Sequence, residues 1–277
     1  MLKILVSILV LTGALVGLVL TSRPPMASED VEERDKSRTS AGSPILVELF
    51  TSEGCSSCPP ADELLTRLEQ TNAVEGVEVI ALSEHVDYWN RLGWADPYSS
   101  SQFSARQNDY GSVFGADEIY TPQMVVDGRI QFVGSNAGKA RDAISKAAGD
   151  PKAGITIKPL KEAGRPQDEI LLDVRVADLP DRSEGGTVDV VLAMTESGLR
   201  SNVSRGENAG RKLTHTAVVR KLTSLGVVDA SGSFSSVSSV KLEKEWARNN
   251  LKAIVFVQER TRRRVLGAAA APLAGSE

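Results

Sequence analysis

Cys55 and Cys58 are the only cysteines of the 277-residue chain, and two serines separate them. Thiols at this spacing can form a disulfide, exchange it with another thiol or supply half of a zinc site. As a structural staple the pair is poor, because closing a four-residue loop contributes only about 2 kcal/mol in the chain-entropy model. A four-ligand zinc site would also need His85 and His215, the only histidines. The spacing therefore favours redox chemistry, with a structural disulfide and a metal site as the alternatives.

The residues around the cysteines predict a turn between a strand and a helix. An apolar strand at 45–50 precedes the pair, and 61–68 has leucines at helical spacing. The free N–H groups and the dipole at a helix N-terminus stabilise a thiolate, so the first thiol should be the more acidic one. We therefore expect Cys55 to be the exposed, attacking thiolate and Cys58 to be the resolving thiol that releases a mixed disulfide.

The apolar pattern divides the chain into an α/β part and a β-rich part near Asp150-Pro151. Strands alternate with helices in residues 44–150, whereas short strands separated by turn residues fill 151–270, a pattern typical of a sandwich. Residues 271–277 are a predicted tail. The predicted strands are 45–50, 77–82, 123–126, 130–133, 155–160, 170–177, 188–195, 217–222, 234–242 and 251–258, and the predicted helices are 61–68, 99–110 and 137–148.

The amino-terminal residues have the pattern of an export signal, because an uncharged apolar run at 4–20 follows a lysine. The run is intermediate in length between a cleaved signal core and a membrane span. Residues 1–22 are therefore a signal peptide or an amino-terminal membrane anchor. Residues 23–43 carry mixed charges and few apolar side chains, which predicts a disordered spacer. We expect an exported protein of the periplasm or cell envelope, anchored to the inner membrane if the signal is not cut.

The composition excludes several classes of protein. With 41% apolar and 25% charged residues the chain is an ordinary globular sequence. A formal net charge of −4 offers no basic surface for a nucleic acid, so no nucleic-acid partner is expected. Two cysteines cannot build a disulfide-rich scaffold. No sequence feature calls for a cofactor, and we expect none.

Longer motifs surround the cysteines. The segment VELFTSEGCSSCPPAD at 47–62 resembles the opening signature of an exported thioredoxin-like family, the domain-of-unknown-function 1223 (DUF1223) family. Ala209 and Asn90 depart from the arginine and the aspartate expected at these positions. The similarity covers residues 45–267 but implies neither a substrate nor a reaction. Its further motifs are HVDYW (85–89), LGW (92–94), DP (96–97), RQ (106–107), YTPQMVV (120–126), GEN (206–208), GR (210–211), LTH (213–215) and VVR (218–220).

The resemblance implies roles for three residues outside the cysteine pair. Thr121-Pro122 looks like the pair that thioredoxin-like proteins place opposite the cysteines, with a cis peptide bond, to hold a substrate chain. A simple strand-start proline is the alternative. Glu48 is similar in position to the carboxylate that assists the second cysteine of thioredoxins. Because its offset differs by one residue and strand faces alternate, a strand-end carboxylate facing water is equally expected.

The segment after the second predicted strand concentrates histidine and aromatic side chains. His85 could exchange protons with the thiols, or hydrogen-bond within the loop that follows and order it. Tyr88, Trp89 and Trp94 could line a groove for an apolar peptide or a small ligand. They could equally form a small core of that loop.

A glycine-bracketed loop at 206–211 is the most distinctive feature of the β-rich part. Glu207 and Asn208 lie between two glycines, and Arg211 brings a fixed cation with five donors. If this loop folds over Cys55, Arg211 could stabilise a thiolate or hold a substrate carboxylate. Otherwise the loop is a hairpin connection between two strands.

Together these features predict an envelope thiol-disulfide oxidoreductase whose substrate is a protein or small-molecule disulfide, with an electron partner that the sequence does not identify. Glu53 precedes the pair and no cation is adjacent in sequence, so we expect a moderate potential and a reductant or isomerase. The main alternative is a non-catalytic binding module that retains its disulfide. A thiol peroxidase or small-molecule reductase is a third hypothesis.

Overall fold

The computed structural model describes residues 42–273, except 72–73, 161, 163, 165 and 181–185. The predicted signal or anchor at 1–22 and most of the predicted spacer lie outside the described residues. Residues 42 and 43, predicted as spacer, instead open the first strand. The first two residues of the predicted tail, 271 and 272, are the end of the last strand. No helix of the described part combines the length and the apolar composition that a bilayer span requires.

Each predicted strand and helix has a counterpart, and three further strands were not predicted. The described residues form a mixed α/β structure with few helices. The helices are α1 (Pro59–Gln70), α2 (Ser101–Phe114) and α3 (Ala137–Ala148), with short 3-10 turns at Asn90–Leu92 and Arg248–Asn250. The strands are β1 (Gly42–Thr51), β2 (Val77–His85), β3 (Gln123–Val126), β4 (Ile130–Val133), β5 (Gly154–Leu160), β6 (Glu169–Ala177), β7 (Val188–Glu196), β8 (Leu199–Asn202), β9 (Lys212–His215), β10 (Val218–Val227), β11 (Phe234–Lys241), β12 (Leu251–Glu259) and β13 (Val265–Pro272).

One mixed sheet runs through both parts of the chain, in the order β13-β12-β7-β10-β2-β1-β3-β4. Strand β1 is parallel to β2 and antiparallel to β3, which continues into the β3–β4 hairpin. The sheet crosses the predicted domain boundary, because Val218 of β10 lies beside Ser83 of β2. The division at Asp150-Pro151 therefore stays an interpretation of the sequence pattern.

Strand β1 separates two cores because its side chains alternate between the faces of the sheet. Val47 and Leu49 pack with the buried leucines of α1 and with α3 on one face. Leu46 packs with Phe103 of α2 on the opposite face. The even-numbered side chains of β1, including Glu48, therefore face α2, whereas the helix that follows the cysteines lies on the other side.

The β-rich part has a core of its own between two sheets. A smaller sheet in the order β11-β6-β5 contributes Leu172 and Val174 of β6 to this core. Val190 of β7 and Val255 of β12 contribute from the large sheet. Strands β8 and β9 form a separate two-stranded hairpin, whose tip carries the glycine-bracketed loop.

Candidate functional site

The two cysteines form a disulfide at the amino-terminal end of α1, at the strand-to-helix turn that the sequence predicted. Cys58 is the residue that caps α1, and two prolines fill the first turn, where a missing N–H costs little. The backbone N–H of Cys58 donates to the carbonyl of Cys55 at 3.2 Å. The exposed fraction of both cysteines is 0%, so the prediction that Cys55 is exposed is wrong.

The loop at the tip of the β8–β9 hairpin covers the disulfide segment. The Glu207 carboxylate accepts hydrogen bonds from the backbone N–H and the hydroxyl of Ser56, at 2.9 and 2.7 Å. The side-chain amide of Asn208 is buried and donates to the carbonyls of Glu53 and Cys55, both at 2.9 Å. We call residues 206–211 the cover loop, because they occupy the main-chain polar groups on both sides of Cys55.

Arg211 holds the cover loop together, and within the described residues no hydrogen bond or ion pair joins it to the cysteines. Its guanidinium donates to the side-chain oxygen of Asn208 at 2.9 Å, which orients the amide toward the cysteine segment. Gly206 has a φ of +76°, and a Cβ there would lie 3.3 Å from the Cβ of Trp94. A left-handed backbone and a close neighbour thus both favour glycine at this end of the loop.

Two tryptophans brace the cysteine turn, and both lie between β2 and α2 in residues 86–100, which we call the inserted segment. The indole N–H of Trp89 donates to the Thr121 hydroxyl at 2.8 Å, and that of Trp94 donates to the Glu53 carboxylate at 2.7 Å. Trp89 also packs against the core formed by β1, β3 and α2, so it does not belong to a separate core of the insertion. The peptide bond between Thr121 and Pro122 is cis, as the resemblance implied.

Five buried or partly buried titratable side chains lie together beside the disulfide. The Nε2 atom of His215 is 2.8 Å from the Glu53 carboxylate. The Nδ1 atom of His85 is 2.7 Å from the carboxylate of Asp96, in the inserted segment. The two imidazole rings meet edge to face with their centroids 4.9 Å apart. With Asp62 on α1, these residues form what we call the acid–imidazole cluster.

Asp62 connects this cluster to the helix that carries Cys58. Its carboxylate accepts a hydrogen bond from the Thr51 hydroxyl at 2.8 Å. Burial raises the pKa of Asp62 to about 6, although the positive charges of His85 and His215 oppose that rise. A carboxyl group with such a pKa can exchange its proton close to neutral pH.

The two histidines keep one ring nitrogen each for further chemistry. His85 Nε2 and His215 Nδ1 are buried and have no hydrogen-bond partner within the described part of the chain. Burial alone would lower the pKa of His85, but the surrounding carboxylates of Asp96, Asp62 and Glu53 together outweigh it and raise the pKa. The pairing with His85 lowers the pKa of Asp96 against the effect of its burial. His85 therefore both anchors the inserted segment and offers a titratable nitrogen beside the disulfide.

Glu48 belongs to a different group on the other face of the sheet. Arg106 of α2 donates to Glu48 at 2.7 Å and to the side chain of Gln258 at 2.9 Å. Tyr110 donates its hydroxyl proton to the same carboxylate, and Glu84 lies 3.3 Å from the Arg106 guanidinium. We call these five residues the arginine cluster.

These contacts correct both readings of Glu48. It is fully buried, so it is not a carboxylate facing water. It also faces α2 rather than α1, so the contacts give no support to a proton relay from Glu48 to Cys58. The one-residue difference in offset places the carboxylate on the wrong side of the sheet for that role.

Four residues of the acid–imidazole cluster were not predicted as site residues from the sequence: Glu53, Asp62, Asp96 and His215. Asp62 could have been found, because it follows Cys58 by four residues in a predicted helix and shares its face. Glu53 and His215 meet across 162 positions of sequence, and no local signal predicts that contact. Within the described residues, no group of three or more histidine, cysteine or acidic side chains is arranged to hold a metal ion.

One known protein family matches most of the chain. Residues 46–258 match the model of a family described as "Protein of unknown function (DUF1223)", which confirms the resemblance drawn from the motifs. The chain belongs to the DUF1223 family. The matched range includes the disulfide, the cover loop and the acid–imidazole cluster, so this DUF1223 protein carries its candidate site within the family region.

A solved structure is similar to this DUF1223 protein over most of its length. It is the crystal structure of a protein from Agrobacterium tumefaciens determined by a structural genomics consortium, and it is 27% identical with a TM-score of 0.61. The similarity covers 84% of this chain and 96% of the other. No curated protein sequence matches significantly.

Proposed function

We propose that this protein is a thiol-disulfide oxidoreductase in which Cys55 attacks a substrate disulfide and Cys58 resolves the mixed disulfide. The observation that carries this proposal is the Cys55–Cys58 disulfide at the amino-terminus of α1. There the helix dipole and free N–H groups favour a thiolate, and a pair three residues apart adds little as a staple. The substrate is a protein or small-molecule disulfide, and an electron partner returns the pair to its starting state.

We also propose that β1 to α3 form a thioredoxin-like domain and that the β-rich part is sandwich-like. The order strand, cysteine pair, helix, strand, helix, hairpin and helix supports the first statement. The strand order β2-β1-β3-β4, with β1 parallel to β2 and antiparallel to β3, supports it further. In that reading Thr121 and Pro122 present the substrate chain, and Trp89 positions Thr121. The core between two sheets supports the second statement.

Access to the disulfide requires the cover loop to move. Both sulfur-bearing residues are fully buried, and an exchange reaction needs a substrate sulfur in line with the bond that breaks. Glu207 and Arg211 are exposed, so Asn208 is the one residue of the cover loop whose buried side chain must leave when the loop opens. Glu207, Asn208 and Arg211 are therefore proposed to control access, and they share this surface with Trp94.

The main alternative is a binding module that keeps its disulfide closed. The observation in its favour is the same cover, because the Asn208 amide occupies the carbonyls of Glu53 and Cys55. Under this alternative the cysteines of the reduced protein would stay inaccessible to reagents at neutral pH. The two functions therefore differ in a measurable property of Cys55.

We propose a moderate reduction potential, typical of a reductant or isomerase. The Glu207 carboxylate lies on the Ser56 N–H at the positive end of α1, where it competes with a thiolate for the same stabilisation. Asp62 adds a second carboxyl group on α1. Negative charge near the sulfurs disfavours the thiolate and thereby favours the disulfide over the reduced pair.

Three measurements on the full-length protein test this proposal. Reduced Cys55 should react with a thiol reagent at neutral pH, whereas no reaction would favour the binding module. A Cys58→Ser variant should trap mixed disulfides from a cell-envelope extract, and a Cys55→Ser variant is its control. Equilibration with glutathione should give a potential well below about −120 mV, the value of a strong oxidant. A potential as high as that would overturn the proposed direction.

We propose that the protein works in the periplasm or cell envelope. The apolar run at 4–20 supports export, and a disulfide is expected to persist in an oxidising compartment. Fractionation of cells that express the full chain and a variant lacking 4–20 tests this location. Equal recovery of both proteins in the cytoplasmic fraction would contradict it.

A further inference from the structure

The reaction proposed for the cysteines moves protons as well as electrons. When a dithiol reduces a substrate disulfide, two thiol protons must leave the protein sulfurs and two must reach the substrate sulfurs. Bulk water can serve Cys55 once the cover loop opens. Cys58 is fully buried and caps α1, so a side chain of that helix is well placed to take its proton.

Asp62 is the carboxyl group placed to receive that proton. It follows Cys58 by four residues, and its backbone N–H donates to the Cys58 carbonyl at 3.1 Å, which continues the helical geometry through the pair. Side chains four residues apart in a helix lie on one face, with their Cβ atoms about 5–6 Å apart. The Thr51 hydroxyl holds the Asp62 carboxylate at the end of β1, immediately before the cysteine turn.

The other acidic groups near the disulfide are engaged elsewhere. Glu53 receives the indole N–H of Trp94 on one oxygen and contacts His215 with the other. Asp96 contacts His85 and accepts the backbone N–H of Glu53 with the same carboxylate oxygen. The Glu207 carboxylate accepts the N–H and the hydroxyl of Ser56, and Glu48 lies on the opposite face of the sheet. Asp62 is therefore the acid beside Cys58 whose carboxyl group is not committed to an imidazole.

We propose that Asp62 is the proton acceptor for Cys58, with His85 and His215 as the imidazoles that stabilise the charge on Asp62 before the transfer. This inference rests on the proposed oxidoreductase function. The ring nitrogens His85 Nε2 and His215 Nδ1 have no other partner within the described residues, and both rings interact electrostatically with Asp62.

The proposed reaction reduces a substrate disulfide of the form R–S–S–R′ in two exchange steps. Cys55 loses its proton to water and its thiolate attacks, the S–S bond of the substrate breaks, and R′–S⁻ leaves and takes a proton from water. Cys58 then transfers its thiol proton to Asp62 as its sulfur attacks Cys55. The Cys55–Cys58 bond forms, the bond from Cys55 to the substrate sulfur breaks, and R–S⁻ leaves and takes a proton from water. The cysteines lose two electrons, the substrate gains them, and Asp62 returns its proton to water.

The titration of Asp62 suits this role. Its pKa of about 6 leaves the carboxylate ionised at pH 7, yet basic enough to accept a thiol proton efficiently. The charged groups that surround it are His85, His215 and Asp96, together with Glu53 behind His215. The rate of resolution should therefore rise as the pH increases through about 6.

The experiment follows the glutathione adduct of Cys55. Reduced full-length protein is mixed with glutathione disulfide, quenched with acid at short times and analysed by mass spectrometry. Asp62→Asn should slow resolution of the adduct about 100-fold at pH 7 and abolish the rise near pH 6. Glu63→Gln, on the exposed side of the same helix, should change neither. Asp62→Glu should retain the rise.

A second measurement tests the coupling of Asp62 to Cys58 independently of the proposed oxidoreductase function. In a Cys55→Ser background, the pKa of the Cys58 thiol is read from thiolate absorbance, and Asp62→Asn should lower it because a neighbouring negative charge is removed. Normal resolution of the adduct in Asp62→Asn, with an unshifted Cys58 pKa, would overturn the role of Asp62 alone. Absence of any adduct in the wild type, with a shifted Cys58 pKa, would overturn the oxidoreductase function while supporting the coupling.

Discussion

The protein buries two charged clusters on opposite faces of one strand, and they are built from different chemistry. The arginine cluster is centred on Arg106, a cation that does not lose its proton in proteins, and its donors are bound to Glu48, Gln258 and Tyr110. The acid–imidazole cluster uses histidines, whose ring nitrogens Nε2 of His85 and Nδ1 of His215 have no partner in the described part.

The contrast between the two clusters indicates which kind of buried polar group can take part in a reaction. The Arg106 guanidinium keeps its charge, and its contacts hold α2 against β1, β2 and β12. A cluster with titratable groups and spare nitrogens can change its protonation state near neutral pH at little structural cost. Position agrees with chemistry, because the cluster that contains the imidazoles adjoins the disulfide and the cluster built around Arg106 does not. Three substitutions test this contrast.

Replacing the central cation should give the largest effect. Arg106→Met leaves Glu48 and Glu84 buried without their cation, so the free energy of unfolding at pH 7 should fall by about 3–5 kcal/mol. Burial raises the pKa of Glu84 well above its usual value even with Arg106 present, and the loss should shrink at low pH as Glu84 is protonated. Urea unfolding measures it. Arg129→Met, which removes an exposed pair with Asp150, should cost about 1 kcal/mol or less. A comparable loss in both variants would remove the contrast.

Asp62→Asn should stabilise the protein at neutral pH. A folded-state pKa raised from 3.8 to about 6 means that the ionised carboxylate is disfavoured in the folded protein, by up to about 3 kcal/mol. Stability contributed by the protonated form is fully present below pH 3.8 and lost as the pH rises through about 6. The gain from Asn should therefore appear between these values and persist at pH 7. Denaturant unfolding across pH measures it, with Glu63→Gln as the control. A destabilised Asp62→Asn protein would contradict this reading.

Weakening the contacts of the cover loop should have a smaller effect, and that effect should be confined to the accessibility of the disulfide. Asn208→Ala removes two hydrogen bonds to the cysteine segment, together worth roughly 1.4 kcal/mol. Reduction of the disulfide by a water-soluble phosphine should become about tenfold faster, because the open state is more populated. Arg205→Ala, an exposed residue just before the loop, should leave the rate unchanged. Equal rates in the wild type and Asn208→Ala would mean that this loop does not limit access.

Local sequence patterns predicted the turn that carries the cysteines, but not the side chains that pack around it. The turn that carries Cys55 and Cys58 and the order of elements follow from apolar spacing and helix-start signals, which act over a few residues. The face of Glu48 could also be read, because Val47 and Leu49 occupy the alternate positions of the strand. Its pairing with Arg106 could not, because the two lie 58 positions apart.

The burial of Cys55 was missed for the same reason. The atoms that cover it belong to Asn208, 153 residues later, and strands β8 and β9 that place Asn208 are too short to give a clear sequence signal. Polar loops that return to a distant site leave no periodic pattern. Their contacts depend on the completed sheet, which only tertiary structure supplies.

The distance in sequence between the cysteines and their cover has a consequence for biosynthesis. Chains are made from the amino-terminus, and amino-terminal segments begin to fold first during synthesis. Cys55 and Cys58 are therefore synthesised before Asn208, which follows Cys55 by 153 positions. During that interval the hairpin tip does not yet enclose the pair, so an oxidant can form the first disulfide in the nascent protein.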